Sequence, residues 1–153
     1  MMNKLFLLTI LLISNGFAVG IELGVGAKYQ AAECNHVNLI DADLSTAESI
    51  TTTRISLLMN TEITSISFFT VPQKGKMIIF DESNPQVKYE LEFDGKSETA
   101  RIPLPKVKMK NIIFGWIPDE YGSKISVKEI IVSSNNKEQL EIYDRIHRLL
   151  YKK

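Results

Sequence analysis

From Arg54 onward the chain alternates apolar and polar residues with a period of two, the signature of strands that bury one face. In RISLLMN, residues 54–60, Ile55, Leu57 and Met59 share a face. EITSISFFTV is rich in β-branched and aromatic residues and stops at Pro72. KMIIFDE is a short apolar run bounded by the turn-like segments PQKGK and ESNP. VKYELEFD alternates most cleanly: Val87, Tyr89, Leu91 and Phe93 against Lys88, Glu90, Glu92 and Asp94, with a turn at Asp94-Gly95-Lys96. ARIPLP, KVKMKNIIFGWI and KISVKEIIVS follow. Turn signals every roughly 8 to 15 residues then predict about seven or eight strands in an antiparallel sandwich or barrel. Upstream, residues 23–29 read as one edge strand.

The period changes only at the end. In SSNNKEQLEIYDRIHRLLYKK, Leu140, Tyr143, Ile146, His147, Leu149 and Leu150 recur at helical spacing. Asn135 or Asn136 can cap the start, and Arg145, Arg148, Lys152 and Lys153 suit the negative end of the helix dipole. The helix is expected to pack on the sandwich and close an open edge or end. The alternative is that its apolar stripe docks a partner protein.

The first twenty residues, MMNKLFLLTILLISNGFAVG, read as a signal peptide: Lys4, an apolar run from Leu5 to Ile13, then small residues. Cleavage after Gly20 fits, with Ala18 as the alternative. The apolar run falls short of the about 20 residues that span a bilayer. The domain organisation read from this is 1–20 signal peptide, 21–134 β-sandwich and 135–153 C-terminal amphipathic helix. The expected location is secreted or periplasmic, with no transmembrane segment in the mature chain.

The chain has 18 basic and 18 acidic residues, and Lys4 is the one basic residue of the leader, so the mature part carries one net negative charge. That balance argues against nucleic acid as a partner. Cys34 is the single cysteine, so no internal disulfide staples the domain. The core, or something else such as a bound ion, has to hold it. Cys34 and His36 alone are too few for a metal centre.

One carboxylate breaks the strand pattern. In KISVKEIIV, Ile125 and Val127 alternate with Ser126 and Lys128, which puts Glu129 on the apolar face ahead of Ile130, Ile131 and Val132. Either the strand bulges there, or the glutamate points inward and needs a cation or donors, since a buried charge without them costs several kcal/mol. Far upstream, NLIDADLST at 38–46 sets Asp41, Asp43 and Thr46 at short spacing. These are oxygen ligands that suit calcium, a hard cation taking 6 to 8 oxygens.

NLIDADLST resembles the N-L-x-D-G-D-x-S-T loop of discoidin-like, galactose-binding-fold modules, the family of coagulation-factor C domains and many bacterial carbohydrate-binding modules. IIFGWIPDEYGSKISVKEIIV is similar to their last two strands, with an I-x-x-x-E-I-x-V ending. RISLLMNTEITSISFF is similar to their early pair of core strands. The resemblance covers about residues 36 to 133 and implies a jelly-roll-like antiparallel β-sandwich. It also implies a structural calcium where the loop meets the late glutamate. Carried over by position, Asp41 or Asp43, Thr46 and Glu129 would hold the ion, helped by backbone carbonyls of residues 38–46. Two positions depart from the family: Ala42 stands where glycine is usual, and Ala47-Glu48 where an aromatic is usual.

No catalytic constellation is legible. His36 and His147 are the only histidines, and there is no nucleophile with a base at a known spacing. The chain therefore reads as a non-enzymatic binding module. Family members bind through loops at one end of the sandwich. The corresponding candidates are Gln73, Lys74 and Lys76 in the 72–76 loop, Tyr121 in the 118–123 loop, and the 47–53 loop. Trp116 is expected in the core, and Lys106, Lys108 and Lys110 on a solvent face. The expected ligand is a glycan or another cell-surface group. The alternative is an exported protein-interaction domain that uses the sandwich face or the terminal helix.

Overall fold

The computed structural model describes residues 32–40 and 43–151. The predicted leader and the predicted edge strand at 23–29 lie outside the described residues. Seven strands are described: β1 (Ala32–Cys34), β2 (Glu48–Ile50), β3 (Thr52–Thr70), β4 (Lys74–Asp81), β5 (Tyr89–Asp94), β6 (Thr99–Pro118) and β7 (Ile125–Ser133). A 3-10 turn at Val37–Ile40 follows β1, and one helix, α1 (Lys137–Tyr151), follows β7. All pairings are antiparallel, in the order β2-β7-β3-β6-β4-β5, with β1 also on β3.

Two long strands turn this single ladder into two layers. The first half of β3 pairs with β1 and with the end of β6, while its second half pairs with β7 and the start of β6. Between Ser56↔Asn111 and Thr61↔Met109 the register slips, and it slips again between Ile63↔Val107 and Ser65↔Pro103. Extra residues on one strand bend it, and here they fold both strands over. RISLLMN and EITSISFFTV, which read as two strands, are therefore one bent strand, as are ARIPLP and KVKMKNIIFGWI. At the second bend Lys106 takes φ 51°, the left-handed region that a non-glycine residue adopts at a cost.

The layers close on one apolar core. Phe68 comes from the second half of β3. It meets Phe93 of β5 and Phe114 of β6 edge-on, each at 5.7 Å between ring centres. Phe93 in turn meets Trp116 at 5.4 Å. Trp116 is buried as expected. The first half of β3 alternates as the sequence predicts, with Thr53, Ile55 and Leu57 buried and Arg54 and Leu58 exposed. From Ser65 to Thr70 both faces are buried, so the alternation fades there. Val87, assigned by periodicity to a buried face, precedes β5 and is exposed.

The helix forms where the 3.6-residue pattern places it. Asn136 caps it, accepting from the Gln139 amide at 3.1 Å. Gln139 accepts from the Glu62 amide at 2.8 Å and donates to the Asn60 carbonyl at 2.9 Å. Tyr143 is buried and bonds Thr61. The helix is thus fastened to the bend of β3 by its first two turns. Leu149 in its last turn stands 79% exposed, and the side chains of His147 and Leu150 lie outside the described set.

Candidate functional site

Three connections gather at the end of the sandwich opposite α1. They are the turn after β3 (71–73), the turn after β5 (95–98) and the loop after β6 (119–124). The Thr70 amide donates to the Glu98 carbonyl at 2.8 Å, and the Val71 amide to the Ser126 carbonyl at 3.0 Å. The Asp119 amide donates to the Lys74 carbonyl at 3.2 Å, and the two side chains approach to 3.8 Å. These bonds follow from strand ends that share one edge, and they hold the three loops against each other.

Each loop is shaped locally. Gly95 at φ 78° and Gly122 at φ 81° occupy the left-handed region, which costs glycine nothing. Asp94 accepts from the Lys96 and Ser97 amides at 2.8 and 2.9 Å. Those two bonds, led by the Ser97 amide, hold its carboxyl below the usual range. In the loop after β6, Ser123 closes the turn on the Glu120 carbonyl, which leaves Tyr121 fully exposed at the tip.

Among the expected ligand-binding residues, Gln73 and Lys74 sit at this end, and Lys74 is tied to the loop that carries Tyr121. Lys76 is elsewhere: it lies opposite Glu92 in the β4–β5 ladder and pairs with Glu90 and Glu92 at 3.6 and 3.8 Å. The proposed 47–53 loop is mostly strand, with β2 and the start of β3 separated by Thr51 alone. The end also recruits Asp119 and the turn after Asp94, which the sequence marked only as turns. The structure leaves Lys106, Lys108 and Lys110 exposed on β6.

Glu129 occupies a second location. The β3–β7 register slips between Phe69↔Glu129 and Thr70↔Val127, so a bulge at Lys128 adjoins Glu129. The residue is nonetheless wholly buried. Both readings of its phase hold together: the strand bulges, and the carboxyl leaves water. The β2–β7 pairing reaches Glu48↔Val127, two residues short of Glu129, and the 3-10 turn packs on β7. Burial pushes the Cys34 thiol up against bonds from the His36 amide and Thr53 hydroxyl. The charges of Glu48 and then Glu129 push it the same way.

Asp41 and Ala42 lie outside the described residues. Asp43 takes the Ser45 amide and hydroxyl on Oδ1 at 3.0 and 2.6 Å, and its carbonyl accepts from the Thr46 amide and hydroxyl. This is a tight polar turn that leads into β2. Among the described residues, no three His, Cys, Asp or Glu side chains converge as a metal centre. No described helix is long and apolar enough to cross a membrane.

No protein-family model matches the sequence, and no curated protein matches it. Solved structures do resemble the fold. The family 32 carbohydrate-binding module of Clostridium perfringens NanJ, in complex with galactose, superposes with a TM-score of 0.59 at 11% identity. That match covers 76% of this chain and 100% of the module. CpGH89CBM32-5 from Clostridium perfringens, in complex with GalNAc-β-1,3-galactose, gives 0.54 at 11% identity, over 74% of this chain and 100% of that one. A pectin-binding carbohydrate-binding module gives 0.53 at 17% identity, over 70% and 91%. At such identities the likeness is one of fold. With its two layers, bent long strands and loop-bearing end, the chain has the discoidin-like, galactose-binding β-sandwich fold of family 32 carbohydrate-binding modules.

Proposed function

We propose that this protein is an exported, non-enzymatic module that binds a glycan or similar cell-surface ligand through the loop end of its sandwich. The observation that carries this reading is Tyr121, an aromatic ring held fully exposed at the tip of a loop braced by Lys74 and Asp119. An aromatic face with polar groups around it suits a sugar ring, which is apolar on one face and hydroxylated at its rim. Gln73 and Lys74 would supply hydrogen bonds beside it. Neighbours of the same fold are described with galactose, GalNAc-β-1,3-galactose and pectin, which supports the ligand class.

A structural calcium accompanies this reading. Glu129 would hold it with Asp41 or Asp43, Thr46 and carbonyls of the 38–46 turn, all hard oxygen donors. The support is the burial of Glu129 together with the packing of the 37–40 turn on β7, the strand that carries it. The ion would fix the loop rather than perform chemistry.

The deciding experiment titrates the purified protein with galactose, GalNAc-β-1,3-galactose and pectin fragments by calorimetry, beside a Tyr121→Ala variant. Binding that weakens about tenfold or more in the variant, an energy of about 1.4 kcal/mol, supports the loop-end site. Binding unchanged in the variant removes it.

A further inference from the structure

The two central strands of one layer are apolar on both sides. In β4, Met77 and Ile79 point into the core, so Lys76, Ile78 and Phe80 point away from it. In the second half of β6, Ile112, Phe114 and Trp116 line the core, so Ile113, Gly115 and Ile117 face outward. The ladder sets Phe80 beside Ile113, Ile78 beside Gly115 and Lys76 beside Ile117. An antiparallel face meant for water alternates to polar residues, and this one carries Ile78, Phe80, Ile113 and Ile117 instead. Ile117 is 49% exposed and the other three are half-buried. A side chain at Gly115 would meet nothing within 4 Å, so the patch has an open dip between Ile113 and Ile117. Single exposed apolar residues are ordinary, but a contiguous patch marks a contact site.

The rim says what covers it. Lys76 pairs with Glu90 and Glu92 at 3.6 and 3.8 Å. Arg54, beside Ile113, pairs with Glu82 at 3.0 Å, and Lys88 lies over the Phe80 ring at 5.7 Å. Both signs of charge are present, and they are engaged with one another. Such a rim does not draw in a polyanion, and it does not aim polar groups at a sugar. It suits a protein face with an apolar centre and a polar edge. A second copy of the same face meets that description, because an isologous contact needs one patch that complements itself.

The size sets the strength. Four strands at a spacing of about 4.8 Å, each roughly six residues long at about 3.4 Å per residue, cover about 400 Å². Two copies would bury about 800 Å² in all, below the roughly 1,200 Å² where stable complexes begin, so the pair is transient.

We infer that two copies of this protein pair weakly through the outer face of β4 and β6, with Ile117 and the dip at Gly115 at the centre of the contact. The pair carries two loop ends, but the contact does not rest on the loop-end site being right.

Sedimentation of the purified protein from micromolar to millimolar concentration tests it, together with amide chemical shifts over the same range. The expected result is a reversible dimer, with shifts that grow with concentration in residues 52–54, 76–80 and 113–117. Ile117→Asp puts a charge at the apolar centre and should weaken the dimer about tenfold or more. Leu149→Asp, on α1, should leave it unchanged. A monomer at millimolar concentration overturns the inference. So do concentration-dependent shifts confined to other residues, an Ile117→Asp variant that pairs like the parent, or a dimer lost in Leu149→Asp. If galactose shifts 76–80 and 113–117 in dilute protein, the patch is a sugar platform and the inference is also overturned. Should Ile117→Asp fail to fold, the shift map of the parent decides alone.

Discussion

The hydroxyl of Tyr143 lies 2.6 Å from that of Thr61, and the two are joined across the junction between the terminal helix and the bend of β3. Thr61 donates to the Met59 carbonyl at 2.9 Å, so the tyrosine is the donor in this pair. Burial raises the Tyr143 phenol, which keeps it protonated and able to donate throughout the physiological range. The bond secures the bend where the strand leaves one layer for the other.

Tyr143→Phe should therefore cost about 1 kcal/mol, the usual net worth of one hydrogen bond. Tyr143→Ala should cost about 3 to 5 kcal/mol through the lost ring. Urea unfolding measures both. Hydrogen exchange should show α1 opening ahead of the strands in the alanine variant, and uniform protection of both would show that the helix is held by other contacts.

Gly75 has no room for a side chain. A methyl group there would sit 2.5 Å from Cζ2 of Trp116 and 2.6 Å from the Ile117 carbonyl. Gly75→Ala should lower stability by about 1 to 3 kcal/mol, the range for overpacking. Relaxation of the indole should appear as a shift in its fluorescence. A melting temperature equal to that of the parent would mean that β4 slides without cost.

Asp81 ties the end of β4 to β6. Its Oδ1 accepts from the Lys110 and Asn111 amides at 2.9 and 3.1 Å, and its Oδ2 accepts from the Ser83 amide and hydroxyl. Burial alone would raise this carboxyl, but the four hydrogen bonds outweigh it and hold the group below its ordinary 3.8. A depressed carboxyl stabilises the fold fully above its unfolded value, and that contribution is lost as pH falls from there through the folded value. The parent should lose stability below about pH 4 more steeply than Asp81→Asn. Parallel acid limbs for the two proteins would contradict this.

If Glu129 holds calcium, a chelator should lower the melting temperature and added calcium should restore it. Glu129→Gln should then cost about 2 kcal/mol or more, as expected for a buried charged group that loses its partner. Glu90→Gln, on a carboxylate that is 58% exposed, should stay within about 0.5 kcal/mol. An unchanged melting curve under chelation would remove the metal.

Substitutions at the tip should separate binding from folding. Tyr121→Ala removes a fully exposed ring and should leave stability within about 0.5 kcal/mol of the parent. A large loss of stability would show that the loop is structural.

Strand identity, the terminal helix and the buried Trp116 were all legible from period and composition, because one-sided burial writes itself into the sequence as alternation. A cap at Asn135 or Asn136 was legible from the residue type alone, and the structure uses Asn136. Val87 was misread because alternation continues past a strand end without any hydrogen bond to sustain it. The loop end was legible only in pieces. Gln73, Lys74 and Tyr121 stood out, but that Lys74 meets Asp119, while Lys76 turns to Glu90 and Glu92, depends on strand order.

What the sequence determined by itself was the all-β character, the phase of each short run and the oddity of Glu129. What only the tertiary structure decided was that four predicted runs are two bent strands, and that a bulge and a buried carboxyl coexist at 128–129. The physical reason is range. Alternation reports the neighbours that a residue has along its own strand, whereas bends, register slips and the gap between layers arise from partners tens of residues away.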